Sequence, residues 1–470
     1  MLSYLLTVFW SRILKKSKNK SNSPAYAGRI IITSLGCAKN FVDTELAAAS
    51  FLCSGFALTE DENEADIQFI NTCAFLKAAR EEASEHITAL KRWKQARRGR
   101  KIIVAGCFVE WADPAELAKY PYVDVWMRSD QVADAGKIAL ALSGEKSDTA
   151  ECPARPAYIY SHETPRVQLT PPHYAYVKIA DGCDNCCAYC MIPSIRGPLR
   201  SRTVKSVVEE VKNLIGNGVY EIILIAQDSG GFGRDRAGKP ELAKLLKQLD
   251  KLPGEYILRL MYLHPASVND ELLDVLKGMK HLVRCIEMPI QHIADNVLKG
   301  MGRKVFGKRT REVVKSIMDL GYAVRTTLMT GFPGETAEDF EELLAYVKDT
   351  GFARLGVFAY SKEPGTRAAA MPDQVPPRTG KARAARLLKA QQKISLAHNL
   401  ALVGTEQEVL IDSVRGTEAL GRTLLDAPDI DNIVKVKSRK KLVPGERVTV
   451  RIDQAAEYEL EATLIRRGRS

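Results

Sequence analysis

Cys183, Cys187 and Cys190 fall in the run Asp181-Gly182-Cys183-Asp184-Asn185-Cys186-Cys187-Ala188-Tyr189-Cys190, a C-x-x-x-C-x-x-C spacing. Three thiolates from one short loop satisfy three irons of a cubic 4Fe–4S cluster and leave the fourth iron open. An open iron implies chemistry, because a cluster that only carries electrons normally has four cysteine ligands. The loop also parses as two CxxC pairs, Cys183/Cys186 and Cys187/Cys190, which is a zinc signature. Zinc pairs are usually separated by a dozen or more residues, whereas these abut, so four sulfurs would have to converge from a strained backbone. A disulfide fits less well, since no secretory signal is visible. Cys186 is then a bystander.

A second trio is spread along the first part of the chain. Arg29–Thr33 leads towards Cys37, Ile67–Asn71 towards Cys73, and Lys101–Ala105 towards Cys107. Each lead is a short apolar run that reads as a strand, and helical patterns over Asp43–Leu52 and Ala78–Arg97 lie between them. Strands alternating with helices predict a parallel α/β domain, placed at residues 29–150. Such sheets bind ligands beyond the carboxyl ends of their strands, where all three cysteines lie, so the trio can converge in space. It therefore reads as a second three-thiolate cluster site, with a redox or packing role as the alternative. Cys53, Cys152 and Cys285 lack this context and are assigned to packing.

These sites need a scaffold. Six more strand-like runs follow a Pro- and Thr-rich linker: Tyr176–Ile179, Glu221–Ile225, Ile257–Met261, Arg284–Met288, Val324–Met329 and Leu355–Phe358. Helical segments such as Val204–Gly216 and Thr310–Leu320 separate them, which predicts an open partial (β/α)6 barrel over residues 168–404. Barrel sites lie at the strand carboxyl ends, and the Cys183 loop follows the first strand directly. A connecting helix over Ala382–Leu402 leads to five short strands in residues 405–470, a small OB-like β-barrel. From Ala401 to Ser470 there are 12 Lys plus Arg and 12 Asp plus Glu, weak equipment for gripping RNA. Asp426, Asp429 and Asp431 form an acidic patch that either meets a basic protein or is an ordinary solvated loop.

The 470 residues are 46% hydrophobic and 27% charged, the make-up of a globular chain of several domains. Ten cysteines without a visible secretion signal point to a reducing cytosol and metal use. The net charge of +11 admits an anionic partner such as RNA or a ribosome. Arg12, Lys15, Lys16, Lys18 and Lys20 supply nearly half of it, so the rest of the chain is only mildly basic. Residues 1–28 read as a disordered basic extension or a mis-called start, and the apolar stretch Met1–Trp10 is too short to span a bilayer. No Walker lysine motif, serine–histidine triad or zinc-protease helix is present.

The C-x-x-x-C-x-x-C loop resembles that of the radical S-adenosylmethionine (SAM) superfamily. Ser34-Leu35-Gly36-Cys37-Ala38-Lys39-Asn40, Asn71-Thr72-Cys73-Ala74-Phe75 and Ala105-Gly106-Cys107 are similar to the signatures of the methylthiotransferases. The resemblance implies two 4Fe–4S clusters, an auxiliary one on Cys37, Cys73 and Cys107 and one on Cys183, Cys187 and Cys190 that binds SAM. It also implies a C-terminal TRAM domain. Tyr189 would lie near the adenine of SAM. Gln227 and Asp228, at a strand end, would be ligand contacts. Arg325 would meet the SAM carboxylate or ribose, or else serve as a structural ion-pair partner. The turn Gly331-Phe332-Pro333-Gly334-Glu335-Thr336 would pass close to the cofactor, which brings in Gly331 and Glu335. His264 and His292 are assigned to bracing their own loops.

Within the family, Ser34 to Glu45, His173-Tyr174-Ala175-Tyr176, Met191-Ile192-Pro193-Ser194-Ile195-Arg196-Gly197 and Asp426-Ala427-Pro428-Asp429-Ile430-Asp431 look like the RimO type. That branch methylthiolates the β-carbon of an aspartate in ribosomal small-subunit protein number twelve, with SAM as methyl donor and radical source. The alternatives are a tRNA adenosine methylthiotransferase of the MiaB type and a non-catalytic zinc or RNA-binding protein. Departures from the RimO pattern are Ala38, where proline is frequent, and Ser229-Gly230-Gly231-Phe232-Gly233, where Thr-Ser-x-Tyr-Gly is usual. The resemblance further implies a flavodoxin or ferredoxin as electron donor, a cytoplasmic location and no membrane span.

Overall fold

The computed structural model describes residues 26–144, 158–416 and 418–468; the basic leader through residue 25, and Cys152, lie outside them. The chain divides into two compact units. The first holds the described residues through Thr170, together with Asp181–Cys183 and Met191–Arg202. The second holds Pro171–Ala180, Asp184–Cys190 and the chain from Thr203 onwards.

The first unit is built on a five-stranded sheet in the order Ala57–Leu58, Arg29–Ser34, Ile67–Thr72, Lys101–Gly106, Val125–Met127, with every pairing parallel. Ile67–Thr72 lies inside the sheet and all its residues are buried, as expected of a strand covered on both faces. The three expected strands are present. The edge strands Ala57–Leu58 and Val125–Met127 were not expected, because two or three residues carry too little alternation to read. Numbered along the chain, the order is 2-1-3-4-5, a doubly wound topology whose switch point lies between the first and third strands. Cys37 and Cys73 follow those two strands, and Cys107 follows the fourth.

The second unit carries six parallel strands paired in chain order: Tyr174–Lys178, Glu221–Ile225, Ile257–Leu260, Leu282–Glu287, Ala323–Thr330 and Arg354–Ala359. The first and last do not pair, so the barrel is open, as the six-repeat pattern predicts. The long helix Pro377–Leu400 packs on its last strands. After it comes a closed barrel, ordered Glu406–Arg415, Glu418–Thr423, Ile433–Lys437, Glu459–Arg467, Arg447–Ala455. Val409, Ile411, Val434, Val436, Val448, Val450 and Leu460 fill its core.

The acidic run of the small barrel corrects both readings given for it. Asp426 is fully buried and bonds Arg354 at 2.7 Å. Asp431 bonds Arg325 at 3.1 Å. Arg259 donates to the carbonyls of Leu424, Leu425 and Asp426, at 2.9, 3.2 and 3.0 Å. Behind this lies buried Glu221, which accepts from Arg259 at 2.7 Å and pairs with Arg422 at 2.5 Å. Buried carboxylates are costly unless paired, and these are paired with the open barrel's own arginines. Only Asp429 of the three aspartates is exposed.

Candidate functional site

Cys37 occupies the N-cap of helix Ala38–Cys53, with extended backbone (φ −92°, ψ 169°), and its carbonyl accepts from the amide of Phe41. That helix starts five residues earlier than the periodicity predicts, and this places the thiol at a helix N-terminus, where amide dipoles favour thiolate. Cys73 follows Ile67–Thr72 directly, and Cys107 opens the short helix Cys107–Trp111. Two glycines let these loops approach. A Cβ on Gly36 (φ +92°) would lie 2.7 Å from the Cys73 Cβ and 3.1 Å from its sulfur. A Cβ on Gly106 (φ +94°) would lie 2.2 Å from Asn71 Oδ1 and 2.6 Å from the Thr72 carbonyl.

The three thiols lie within one another's electrostatic reach. Burial pushes Cys107 up to about 11; Arg196 pulls the other way, while Cys37 and Cys73 add to the rise. Burial also raises Cys73, partly offset by the Phe75 and Ala74 amides. For Cys37, exposed though it is, the surrounding protein raises the pKa by desolvation, but Lys39, the Asn40 amide and Arg196 outweigh it, so the net shift is downward. Among the described residues no three His, Cys, Asp or Glu side chains gather closely enough to hold one metal ion. A cubane makes a different demand, since each thiolate takes its own iron. Converging sulfurs, a glycine pressed against Cys73 and a helix start beneath Cys37 fit three-thiolate ligation of that kind.

The segment Met191–Arg202 adds a member that sequence reasoning missed. Arg196 is buried, and its guanidinium donates to Asp43 at 2.7 Å, Asp181 at 3.2 Å, the Asn40 side-chain oxygen, and the Cys107 sulfur at 3.4 Å. Asn40 in turn donates to the Thr72 carbonyl at 2.8 Å. The available signal was a lone arginine within an apolar Met-Ile-Pro run, matched by an aspartate just before the cysteine loop.

In the second unit the rest of the loop is pinned through its backbone. The Ala188 amide donates to the Met301 carbonyl at 2.8 Å, and the Ala188 carbonyl accepts from Ala368 at 2.8 Å. Asn185 donates to Asp228 at 2.7 Å, so Asp228 braces the loop from the end of the second barrel strand. Cys186 is exposed and left-handed (φ 51°), and its carbonyl accepts from Arg367 at 2.7 Å. Tyr189 stands edge-on to Phe332, with centroids 6.4 Å apart, against an apolar cluster of Ala188, Ala294, Val297, Met301 and Phe332. Burial holds its phenol neutral, with Arg303 opposing and Cys187 and Cys190 reinforcing.

The remaining expected cofactor residues are placed as follows. Gln227 is half-buried, two residues past strand Glu221–Ile225. Arg325 takes the ion-pair role, bonded to Glu287 and Asp431 at 3.1 Å each. Glu335 is spent on the amides of Gly331 and Phe332 and on Arg383 at 2.8 Å. Gly331 is required by packing, since its Cβ would lie 2.7 Å from the Gly380 Cα. His264 and His292 each accept from an amide two residues on, as expected of loop braces. Cys285 is buried as expected, whereas Cys53 is exposed at its helix end.

An open six-stranded parallel barrel with a three-cysteine loop behind its first strand defines the radical SAM class. The radical SAM superfamily matches residues 177–347, the uncharacterized protein family UPF0004 matches 29–128, and the TRAM domain matches 403–465. The chain is 38% identical over 442 residues to the ribosomal protein uS12 methylthiotransferase RimO of Geotalea uraniireducens, covering 93% of this chain and 98% of that one. It is 41% identical over 439 residues to the protein of that name from Elusimicrobium minutum, covering 93% and 100%. Among solved structures, the radical SAM methyltransferase TsrM of Kitasatospora setae shares the fold at 15% identity, with a TM-score of 0.53 over 72% of this chain and 73% of that one. The cobalamin-dependent radical SAM enzyme OxsB shares it at 10% identity, with a TM-score of 0.52 over 78% and 57%. The chain belongs to the RimO family of radical SAM methylthiotransferases, enzymes that use SAM and two 4Fe–4S clusters.

Proposed function

We propose that this chain transfers a methylthio group to the β-carbon of an aspartate in ribosomal protein uS12, with SAM as methyl donor and radical source. The observation that carries this reading is full-length similarity to relatives of that name, 41% identical with 100% of one relative covered. The neutral C-terminal barrel supports a protein substrate over tRNA, since a nucleic-acid grip needs an excess of basic side chains.

When bound, the two clusters supply one-electron reduction of SAM and a place for the sulfur that is inserted. Cys37, Cys73 and Cys107 would hold one, and Cys183, Cys187 and Cys190 the other. Tyr189, Gln227 and the backbone of the Gly331–Glu335 turn would face the cofactor. Glu335 would act there by holding the turn's amides, and Arg325 only on release from Glu287 or Asp431. The working division is an α/β domain at 29–150, a radical SAM core at 168–404 and a TRAM domain at 405–470. A flavodoxin or ferredoxin would supply electrons, in the cytoplasm. No helix among the described residues is long and apolar enough to cross a membrane.

Mass spectrometry of ribosomal proteins and tRNA nucleosides from a deletion strain tests the reading. Loss of the methylthio group from uS12, restored by the gene, is the expected result. Loss from tRNA with uS12 unchanged would overturn it.

A further inference from the structure

Arg196 is an expensive residue to place where it is. Its side chain is 3% exposed, and burying a guanidinium costs several kcal/mol unless paired and fully hydrogen-bonded. The chain meets that cost with two carboxylates, Asp43 and Asp181, whose exposures are 2% and 9%, and with the amide oxygen of Asn40. An apolar side chain of similar volume would fill such a space without those partners. What the guanidinium adds is a further N–H, which points from Nε to the Cys107 sulfur at 3.4 Å.

We infer that Arg196 is a positioning residue for the auxiliary cluster: it donates a hydrogen bond to the Cys107 sulfur, fixes that ligand, and raises the cluster's reduction potential. The inference rests on Cys37, Cys73 and Cys107 being cluster ligands. Hydrogen bonds and positive charge at a ligating sulfur stabilise the more negative, reduced cluster. Asp43 and Asp181 aim the fork, and Asn40 locks its second arm while its own amide is tied to Thr72. The fork also fastens the flanks of the cysteine loop to helix Ala38–Cys53 and to Cys107. Asp181 lies two residues before Cys183 and Arg196 six residues after Cys190, and the Cys183 amide bonds the Gly197 carbonyl at 3.2 Å.

The test isolates one cluster. In the full-length chain with Cys183, Cys187 and Cys190 all changed to alanine, reconstituted anaerobically, about four irons should remain. Protein labelled with 15N in the arginine guanidinium should then show a 15N coupling in the pulsed EPR spectrum of the reduced cluster. Introducing Arg196→Gln into that background should remove the coupling and lower the reduction potential. Arg196→Lys, which keeps the charge and loses the fork, should restore part of the potential without the Nε signal. If Arg196→Gln fails to retain iron, the labelled parent protein still decides the matter. An iron-loaded parent without 15N coupling, or an unchanged potential in Arg196→Gln, overturns the inference and leaves the ligand assignment standing. An iron-free parent overturns both.

Discussion

Gly106→Ala is the sharpest test of the auxiliary site's architecture. Gly106 sits at φ +94° and ψ −158°, a region almost reserved to glycine, where an L-residue costs roughly 1–3 kcal/mol. Its new methyl would also fall 2.2 Å from Asn71 Oδ1 and 2.6 Å from the Thr72 carbonyl, inside a sheet that cannot yield freely. Overpacking of that kind adds typically about 1–3 kcal/mol. The total, about 2–6 kcal/mol, is a large part of a domain's stability. Gly99→Ala is the control: its φ is +90°, and a Cβ there meets nothing within 4 Å, so it bears the backbone cost alone. The difference reports the added strain at Gly106, which drives apart the strand ends that carry Cys73 and Cys107. Iron analysis of anaerobically prepared proteins reads the result. Gly99→Ala should hold about eight irons, and Gly106→Ala about four, those on the Cys183 loop. If Gly106→Ala kept all its iron and melted with Gly99→Ala, the convergence of the three cysteines described above would be refuted.

Other consequences follow from the buried charges. Glu221→Gln leaves Arg259 and Arg422 sharing a neutral partner, and the loss should be about 3–5 kcal/mol, read as a lowered melting temperature of the second unit. Burial raises the Glu221 pKa, but Arg259 and Arg422 outweigh it and the net shift is downward. Its contribution is therefore present above the usual carboxylate range and lost as pH falls through the depressed value, and acid unfolding of Glu221→Gln should show a shallower pH dependence there. Arg325→Met should lower stability, by removing the shared cationic partner of Glu287 and Asp431, and leave the Kd for SAM within about twofold by equilibrium dialysis. A large rise in Kd would instead place Arg325 against the cofactor. Asn185→Ala, which removes the Asp228 bond to the loop, should weaken retention of iron on the Cys183 loop without affecting the auxiliary site.

The six barrel strands were legible because each is a compact apolar run between helices, and Glu221–Ile225 and the helix Val204–Gly216 match residue for residue. The strand-end placement of Cys37, Cys73 and Cys107 was legible because it is encoded by the apolar run that precedes each cysteine. Edge strands of two and three residues were not, since they hold no period. The roles of charged residues were least legible. Asp426 and Asp431 look like a solvated or partner-facing patch in one dimension, and only folding reveals Arg354 and Arg325 opposite them. Arg196, Asn40 and Asp43 form one network from positions more than 150 residues apart, a relation that local pattern does not carry.

The account stands on two sulfur trios, each holding its own cluster. Iron and labile sulfide should be counted in the anaerobic wild-type chain and in two variants, Cys37/Cys73/Cys107 to alanine and Cys183/Cys187/Cys190 to alanine. The account predicts about eight irons in the parent and about four in each variant. Zinc in place of iron, or a full iron complement surviving the loss of either trio, would contradict it.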